Sequence, residues 1–355
     1  MKAPLFKVIN ILLITSLVLI ISACHETSND FGNQVGHFPD TAVNFSDANS
    51  IYDDMNSTAP YIFDKSLFHF SSNRLTKGGT FDIVGNNMEL TWHKSNGTLT
   101  LSMVDDARFN YLDSFFRVIN TPQNEFGPFS FSIQNVVSNY NLRWRDVVLY
   151  SSDFSGNSDI MLAYYDTTTT LSARIKGPYP INLVNTDKNE LYPSFYGNNW
   201  YFHNPLGYQT GNIEEMCFCA DYDGNFDIYR VKFKPQGDFV DSLISAKYQT
   251  PEKITSVSSS SEDKCPFING NLMVFSSNRP GGFGGYDLYY AIRQGDSWSE
   301  PVNFGNKINT AYDEFRPMVI YVDGFDNNLM FFSSNRPGGK GGFDLYYIGI
   351  SQVVK

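Results

Sequence analysis

The chain is poor in the residues that usually carry chemistry. It has five histidines in 355 residues, at positions 25, 37, 69, 93 and 203, and none pair at metal-ligand spacing. No Gly-x-Ser-x-Gly, Walker or Rossmann glycine pattern occurs, which removes the common nucleophile-elbow and nucleotide-binding classes. Carboxylates are plentiful, so a glycosidase working with two acids stays open. Basic residues are in deficit, 26 Lys and Arg against 37 Asp and Glu, a net charge of −11. That leaves no basic stripe for a phosphate backbone and argues against nucleic acid as a partner. Long helical periodicity is missing after the first two dozen residues.

Cysteine is scarce as well. Cys217, Cys219 and Cys265 are an odd set and do not read as a disulfide framework. Cys217 and Cys219, two apart on an expected strand, share a face and read as buried small hydrophobes. The fourth, Cys24, ends an export signal. Lys2 and Lys7 precede the apolar run 8–21, and Ile21-Ser22-Ala23-Cys24 is similar to a bacterial lipobox. The expectation is a signal peptide over 1–23, lipidation at Cys24, a polar tether over 24–40, and attachment to the membrane through that lipid only.

What the chain has in abundance is aromatic residues, 16% of the whole, with 30 Phe, 22 Tyr and 27 Gly. They are organised by a repeat. FSSNRPGGFGGYDLYY at 275–290 returns at 332–347 as FSSNRPGGKGGFDLYY, identical at fourteen of sixteen positions. Each copy reads as two strands joined by a glycine turn. Related strand–turn–strand units start at Phe70-Ser71-Ser72, Tyr150-Ser151-Ser152 and Cys219-Ala220-Asp221, which makes five. Aspartates 82, 159, 227, 287 and 344 open the second strand of each unit, where they would cap the turn. A second signature, an acid three residues before a proline, occurs at Glu125, Glu190, Asp263 and Glu314, with blade one departing as Ser57-Thr58-Ala59-Pro60. A third, four residues before the acid, is Asn120-Thr121, Asn185-Thr186 and Asn309-Thr310, with Ser258-Ser259 in blade four.

On these residues, most closely over 298–347, the chain resembles the WD40-like propeller repeats of bacterial envelope proteins, the family of the TolB propeller and of propellers joined to OmpA-like domains. The resemblance implies protein–protein interaction in the outer membrane or periplasm and supports no reaction. With the spacing, the fold expectation is an all-β, five-bladed β-propeller over 41–355, each blade four antiparallel strands. Strand D is read in Val302-Asn303-Phe304 and Ile181-Asn182-Leu183. Val43-Asn44-Phe45 copies the same segment and should close the last blade, removing an open edge. Met88–Val104 reads as a hairpin turning at Asn96-Gly97.

Function is expected where the repeat breaks. From Pro128 to Ser151 is 23 residues and from Pro193 to Ala220 is 27, so blades two and three should raise long loops on one rim. In these, Trp200, Tyr201, His203 and Tyr208, with Arg143, Trp144 and Arg145, are the candidate partner-binding residues. Glu125, Glu190, Asp263 and Glu314 could ring a ligand, but repeat equivalence favours a structural role. Asp221-x-Asp223-Gly224-Asn225-x-Asp227 has calcium-loop spacing, yet its twelfth position is Lys232. No metal, cofactor or catalytic residue is assigned. The functional expectation is a lipid-anchored scaffold for an envelope protein partner. The alternative is a carbohydrate-binding or glycoside-hydrolysing surface lipoprotein with a glycan as partner.

Overall fold

The computed structural model describes residues 35–59, 65–93, 97–106, 111–138, 141–167, 169, 174–197 and 212–352. Cys24 and the tether up to residue 34 lie outside them. Among the described residues no helix is long and apolar enough to cross a membrane.

Alternating apolar and polar residues between glycine and asparagine turns give short antiparallel strands, and these form five sheets. Blade one is β2 (Asp54–Thr58), β3 (Lys65–Ser72), β4 (Asp82–His93) and β5 (Thr98–Val104). Blade two is β6 (Glu125–Ser138), β7 (Asn141–Ser152), β8 (Asp159–Asp166) and β9 (Ile175–Pro180). Blade three is β10 (Glu190–Gly197), β11 (Ile213–Ala220), β12 (Asp227–Lys232) and β13 (Glu252–Lys253). Blade four is β14 (Asp263–Asn269), β15 (Leu272–Ser277) and β16 (Asp287–Gln294), with β17 (Ser297–Trp298) and β18 (Val302–Asn303) both paired along β16. Blade five is β19 (Glu314–Ile320), β20 (Asn327–Ser334) and β21 (Asp344–Ser351), completed by β1 (Val43–Asn44) from the other end of the chain. The first strands of the blades touch in a closed cycle, β2 to β6 to β10 to β14 to β19 and back to β2. The protein is a five-bladed β-propeller.

Phenylalanines from neighbouring blades fill the space between sheets: Phe129 lies 5.8 Å from Phe195 and 6.0 Å from Phe267, ring centre to ring centre. Burying each such ring contributes roughly 1.5–3 kcal/mol.

The all-β, five-bladed expectation holds, and two finer ones need correction. Among the described residues two short helices lie between the strands, α1 (Leu112–Ile119) and α2 (Phe239–Ile244). In α1 the apolar Leu112, Phe115, Phe116 and Ile119 fall at helical spacing and are buried against blades one and two. Strand D of blade two is Ile175–Pro180; Ile181 follows it, its N–H bonding Ile160 O as Phe304 N–H bonds Leu288 O. The long connection of blade two is not a loop but a continuation of β6 and β7 as a paired hairpin.

The repeat signatures are one fastening used five times. The asparagine of each Asn-Thr pair grips both backbone groups of the second residue of strand C: Asn309 Oδ1 takes Leu288 N–H and Asn309 Nδ2 donates to Leu288 O. Asn120 does this at Ile83, Asn185 at Ile160 and Asn49 at Leu345. Blade one therefore conforms. Its acid is Asp54 and its Asn-Thr pair is Asn49-Ser50, hidden in the sequence because Ser57 stands where the other blades have proline.

Two residues past each acid the backbone turns left-handed, at Asn56, Gly127, Tyr192, Cys265 and Arg316, with φ between 51° and 60°. Each site is a bulge in the strand register. The bulge frees an N–H that reaches the preceding blade: Asn56 to Ser333 Oγ, Gly127 to Ser71, Tyr192 to Ser151 and Arg316 to Ser276, at 3.0–3.3 Å. In blade four Cys265 N–H meets Cys219, which stands where the other blades have this serine.

Candidate functional site

The repeat acids are turned into this frame. Glu125, Glu190, Asp263 and Glu314 are all fully buried. Glu314 takes Thr310 N–H and Oγ1–H at 2.7 Å, Ser334 Oγ–H, and the Arg336 guanidinium at 2.9 Å. Glu125 and Glu190 repeat the threonine pair, Asp263 uses Ser259 and Arg279, and Asp54 uses Ser50 and Arg74. Burial raises Glu125, Glu190 and Glu314 above the usual carboxylate value although hydrogen bonds oppose it. No pair of free carboxylates among them faces the axis.

The aspartates that open strand C differ from one another, and the difference locates the site. Asp344 accepts Lys340 N–H at 2.6 Å, Gly341 N–H at 3.0 Å and Asn44 Nδ2 at 2.9 Å. Asp287 does the same with Phe283, Gly284 and Asn303. Asp159 takes Ser155 and Asn157, and Asp227 takes Lys253. Asp82 receives no hydrogen bond from any described residue, although it is only 6% exposed. Burial pushes its carboxyl above the ordinary value, with nothing opposing.

Two sequence changes cause this. In blade five the turn is Pro337-Gly338-Gly339, and a Cβ on Gly339 would stand 2.0 Å from Asp344 Oδ2. Blade one has Leu75-Thr76-Lys77 there, so the chain takes another course and Gly78 N–H bonds Asn73 O instead of the aspartate. The second change is the strand D that brings Asn44 or Asn303 to its aspartate. In blade one β5 pairs only with residues from Asn87 to His93 of β4, and α1 leads the chain back to Asn120. Nothing described pairs with β4 on its outer side at Val84 and Gly85. Ile83 turns both backbone groups to that side, towards Asn120, so by the two-residue period Gly85 does too.

A cavity of about 810 Å³ fills the place of the missing segment. Asp47, Asp82 and Asp113 line it with Arg74, Arg117, Asn86, Leu75 and the Val84–Gly85 edge. A second cavity, about 350 Å³, adjoins on blade two, lined by Asp159, Pro178, Pro180 and Phe154, which is 68% exposed. Thr121 borders both, so the two cavities lie side by side across the junction of blades one and two. Acids, amides and an exposed ring around a groove of this size suit a polar organic ligand.

None of the described residues singled out in the sequence as partner-binding lines either cavity. Trp200, Tyr201, His203 and Tyr208 lie outside the described residues. Arg143 and Trp144 are in β7. Arg145 is corrected as a surface contact: it is 2% exposed, paired to Asp166 at 3.3 Å and Asp238 at 2.6 Å, and stacked 5.1 Å from the Tyr164 ring centre. It ties blade two to the start of α2. The calcium-like turn points its acids at protein partners, Asp223 and Asp227 sharing Lys253 and Asp221 taking Asn189. No group of three metal-ligating side chains occurs among the described residues. The signal that could have led to Asp82 was the replacement of Pro-Gly-Gly by Leu75-Thr76-Lys77 in the one turn that otherwise keeps the length of those in blades four and five.

No family model matches the chain, and no curated protein matches it. Several solved structures do. The catalytic domain of a Coprinopsis cinerea α-L-arabinofuranosidase is 10% identical with a TM-score of 0.48, covering 89% of this chain and 97% of its own. The Bacillus subtilis arabinanase is 12% identical with a TM-score of 0.44, covering 86% and 97%. A glycosyl hydrolase from Bacteroides ovatus is 9% identical with a TM-score of 0.47, covering 92% of each chain. Such distant likenesses assign neither substrate nor residues. These structures bear glycoside-hydrolase names, where the repeat resemblance implied TolB-type ones. The scaffold expectation is corrected: of its contact residues, Arg145 is spent inside the protein, and Trp200, Tyr201, His203 and Tyr208 lie outside the described residues.

Proposed function

We propose that the chain is a carbohydrate-binding lipoprotein of the bacterial cell envelope, anchored at Cys24, that holds a glycan in the cleft of blades one and two. The observation that supports this is Asp82, a residue only 6% exposed whose carboxylate no described residue hydrogen-bonds, beside the stretch of β4 at Val84–Gly85 where no described strand pairs on the outer side. A sugar hydroxyl would give it the hydrogen bond that Asn44 or Asn303 gives its counterparts, and Phe154 offers a ring face for stacking. On this reading the WD40-like repeat is the frame, and the broken blade carries function.

A second reading, hydrolysis, is favoured by one further feature. The raised Asp82 is suited to donate a proton, and Asp113 and Asp47 supply a second carboxylate on the same cleft.

Titration calorimetry of the mature chain against arabinan fragments, cello-oligosaccharides and acidic glycans tests the proposal. Binding is expected to one class, weakened at least tenfold by Asp82→Ala and severalfold by Phe154→Ala. Binding untouched by either substitution, or none across the panel, overturns it. Reducing ends released by the wild type and not by Asp82→Asn would establish hydrolysis.

A further inference from the structure

The five left-handed positions next to the propeller axis carry Asn56, Gly127, Tyr192, Cys265 and Arg316. Four are neutral. Arg316 is fully buried, and its Nη2 donates to Pro128 O of blade two at 3.1 Å, so the side chain reaches from blade five past blade one. Its guanidinium lies 5.4 Å from the Tyr192 ring centre, and the Tyr192 ring occupies the space that a Cβ on Gly127 would need. Nε and Nη1 have no hydrogen-bond partner.

No carboxylate among the described residues forms an ion pair with Arg316. The ionisable groups around it are Cys265, Tyr192 and Cys219, and burial raises all three, so they are neutral and supply no counter-charge. The other arginines on the inner repeat, Arg74, Arg279 and Arg336, each meet their blade's acid. A guanidinium with neither solvent nor counter-ion carries a desolvation cost that neutral hydrogen bonds offset only in part. Asn56, at the same position in the adjacent blade, is also fully buried, with neither end of its amide bonded. Two neighbouring blades thus carry buried, unbonded polar side chains at the same repeat position, and the only charge among the five is the positive one of Arg316.

The geometry points to a small monovalent anion, chloride-sized, held on the propeller axis by Arg316 Nε and Nη1. The site is separate from the blade-one cleft and stands whether or not a glycan binds there. The anion would fasten blades five, one and two together from the inside, a structural role.

Two measurements on the mature chain test it. Melting in sodium chloride against sodium gluconate at fixed ionic strength should give a midpoint that climbs with chloride, on the order of 2 °C per tenfold above saturation. Crystals grown in bromide should show an anomalous peak within contact distance of Arg316 Nε and Nη1. Arg316→Met should lose the chloride dependence; if that variant does not fold, the bromide map decides. A bromide peak at Arg316 supports the site. A bromide map empty at Arg316 overturns it, including where the melt still responds to chloride, since the anion then binds elsewhere.

Discussion

Asn44 Nδ2 donates to Asp344 Oδ2 at 2.9 Å, joining residues 300 positions apart and fastening the N-terminal strand to the last blade. Val43 pairs with Tyr347 beside it, and the Phe45 ring packs 5.4 Å from Phe68 and 6.1 Å from Phe331. Closure is therefore both a ladder and a buried ring. Phe45→Ala should cost about 3–5 kcal/mol in denaturant melts. Deleting residues 41–46 should lower the thermal midpoint further and promote association through the bared β21 edge. An unchanged melt after deletion would sink the closure.

The inter-blade latch gives a second prediction. Ser276 is fully buried and accepts Arg316 N–H at 3.0 Å. Ser276→Ala strands that N–H and should cost about 1–3 kcal/mol. Cys219 holds the same place in blade three, so Cys219→Ser restores the repeat and should leave stability equal or higher. If Ser276→Ala melts like the wild type, the latch contributes nothing.

Much of this frame was legible in the sequence because one physical solution recurs. The strand–turn–strand unit ending in aspartate, the acid, and the Asn-Thr pair or its serine variants recur wherever a strand must be capped, bulged and latched, so counting copies counted blades. What could not be read was where a copy serves the fastening and where it is released. Asp82 and Asp344 lie at the same distance from the same Phe-Ser-Ser-Asn-Arg segment, and the different turn between them shows its effect only in the partners each carboxylate finds. Blade one hid its acid because Ser57 replaced a proline, and α1 hid because eight residues of helix leave little periodicity among strands. Arg145 drew attention as a charge beside a tryptophan, but its partners Asp166 and Asp238 come from separate elements and meet it only on folding.

Asp82 and Asp287 should respond in opposite directions. Asp287→Ala removes the acceptor for two turn amides and for Asn303, and should destabilise by about 1–3 kcal/mol. Asp82→Asn removes a carboxylate that folding penalises, and should stabilise by about 0.5–2 kcal/mol at pH 7. The sign follows from the raised value. Below the unfolded value of about 3.9 both states hold the proton and the penalty is absent; it grows as pH rises through the folded value. The gain from Asp82→Asn should thus vanish near pH 3. A loss of stability at pH 7 would mean that Asp82 is bonded inside the protein after all.

Glu215 tests the opposite titration. It is 1% exposed, and Arg293 and Lys232 each donate to it at 2.8 Å while Arg230 stands at 3.4 Å. Burial alone would raise its carboxyl, but these cations hold it below the ordinary value. Arg293 lies 4.0 Å over the Tyr196 ring, so the cluster joins blade three to blade four. Glu215→Gln leaves Arg230 and Arg293 only the exposed Glu252 and Asp296 as counter-charges and should cost about 2–3 kcal/mol at pH 7. Because the folded value is depressed, the contribution of Glu215 is complete above its unfolded value of about 4.3 and is lost as pH falls through the folded one. Urea melts of wild type and variant should differ most at pH 7 and converge towards pH 2. A gap of constant size across that range would show that packing, not charge, holds these two blades together.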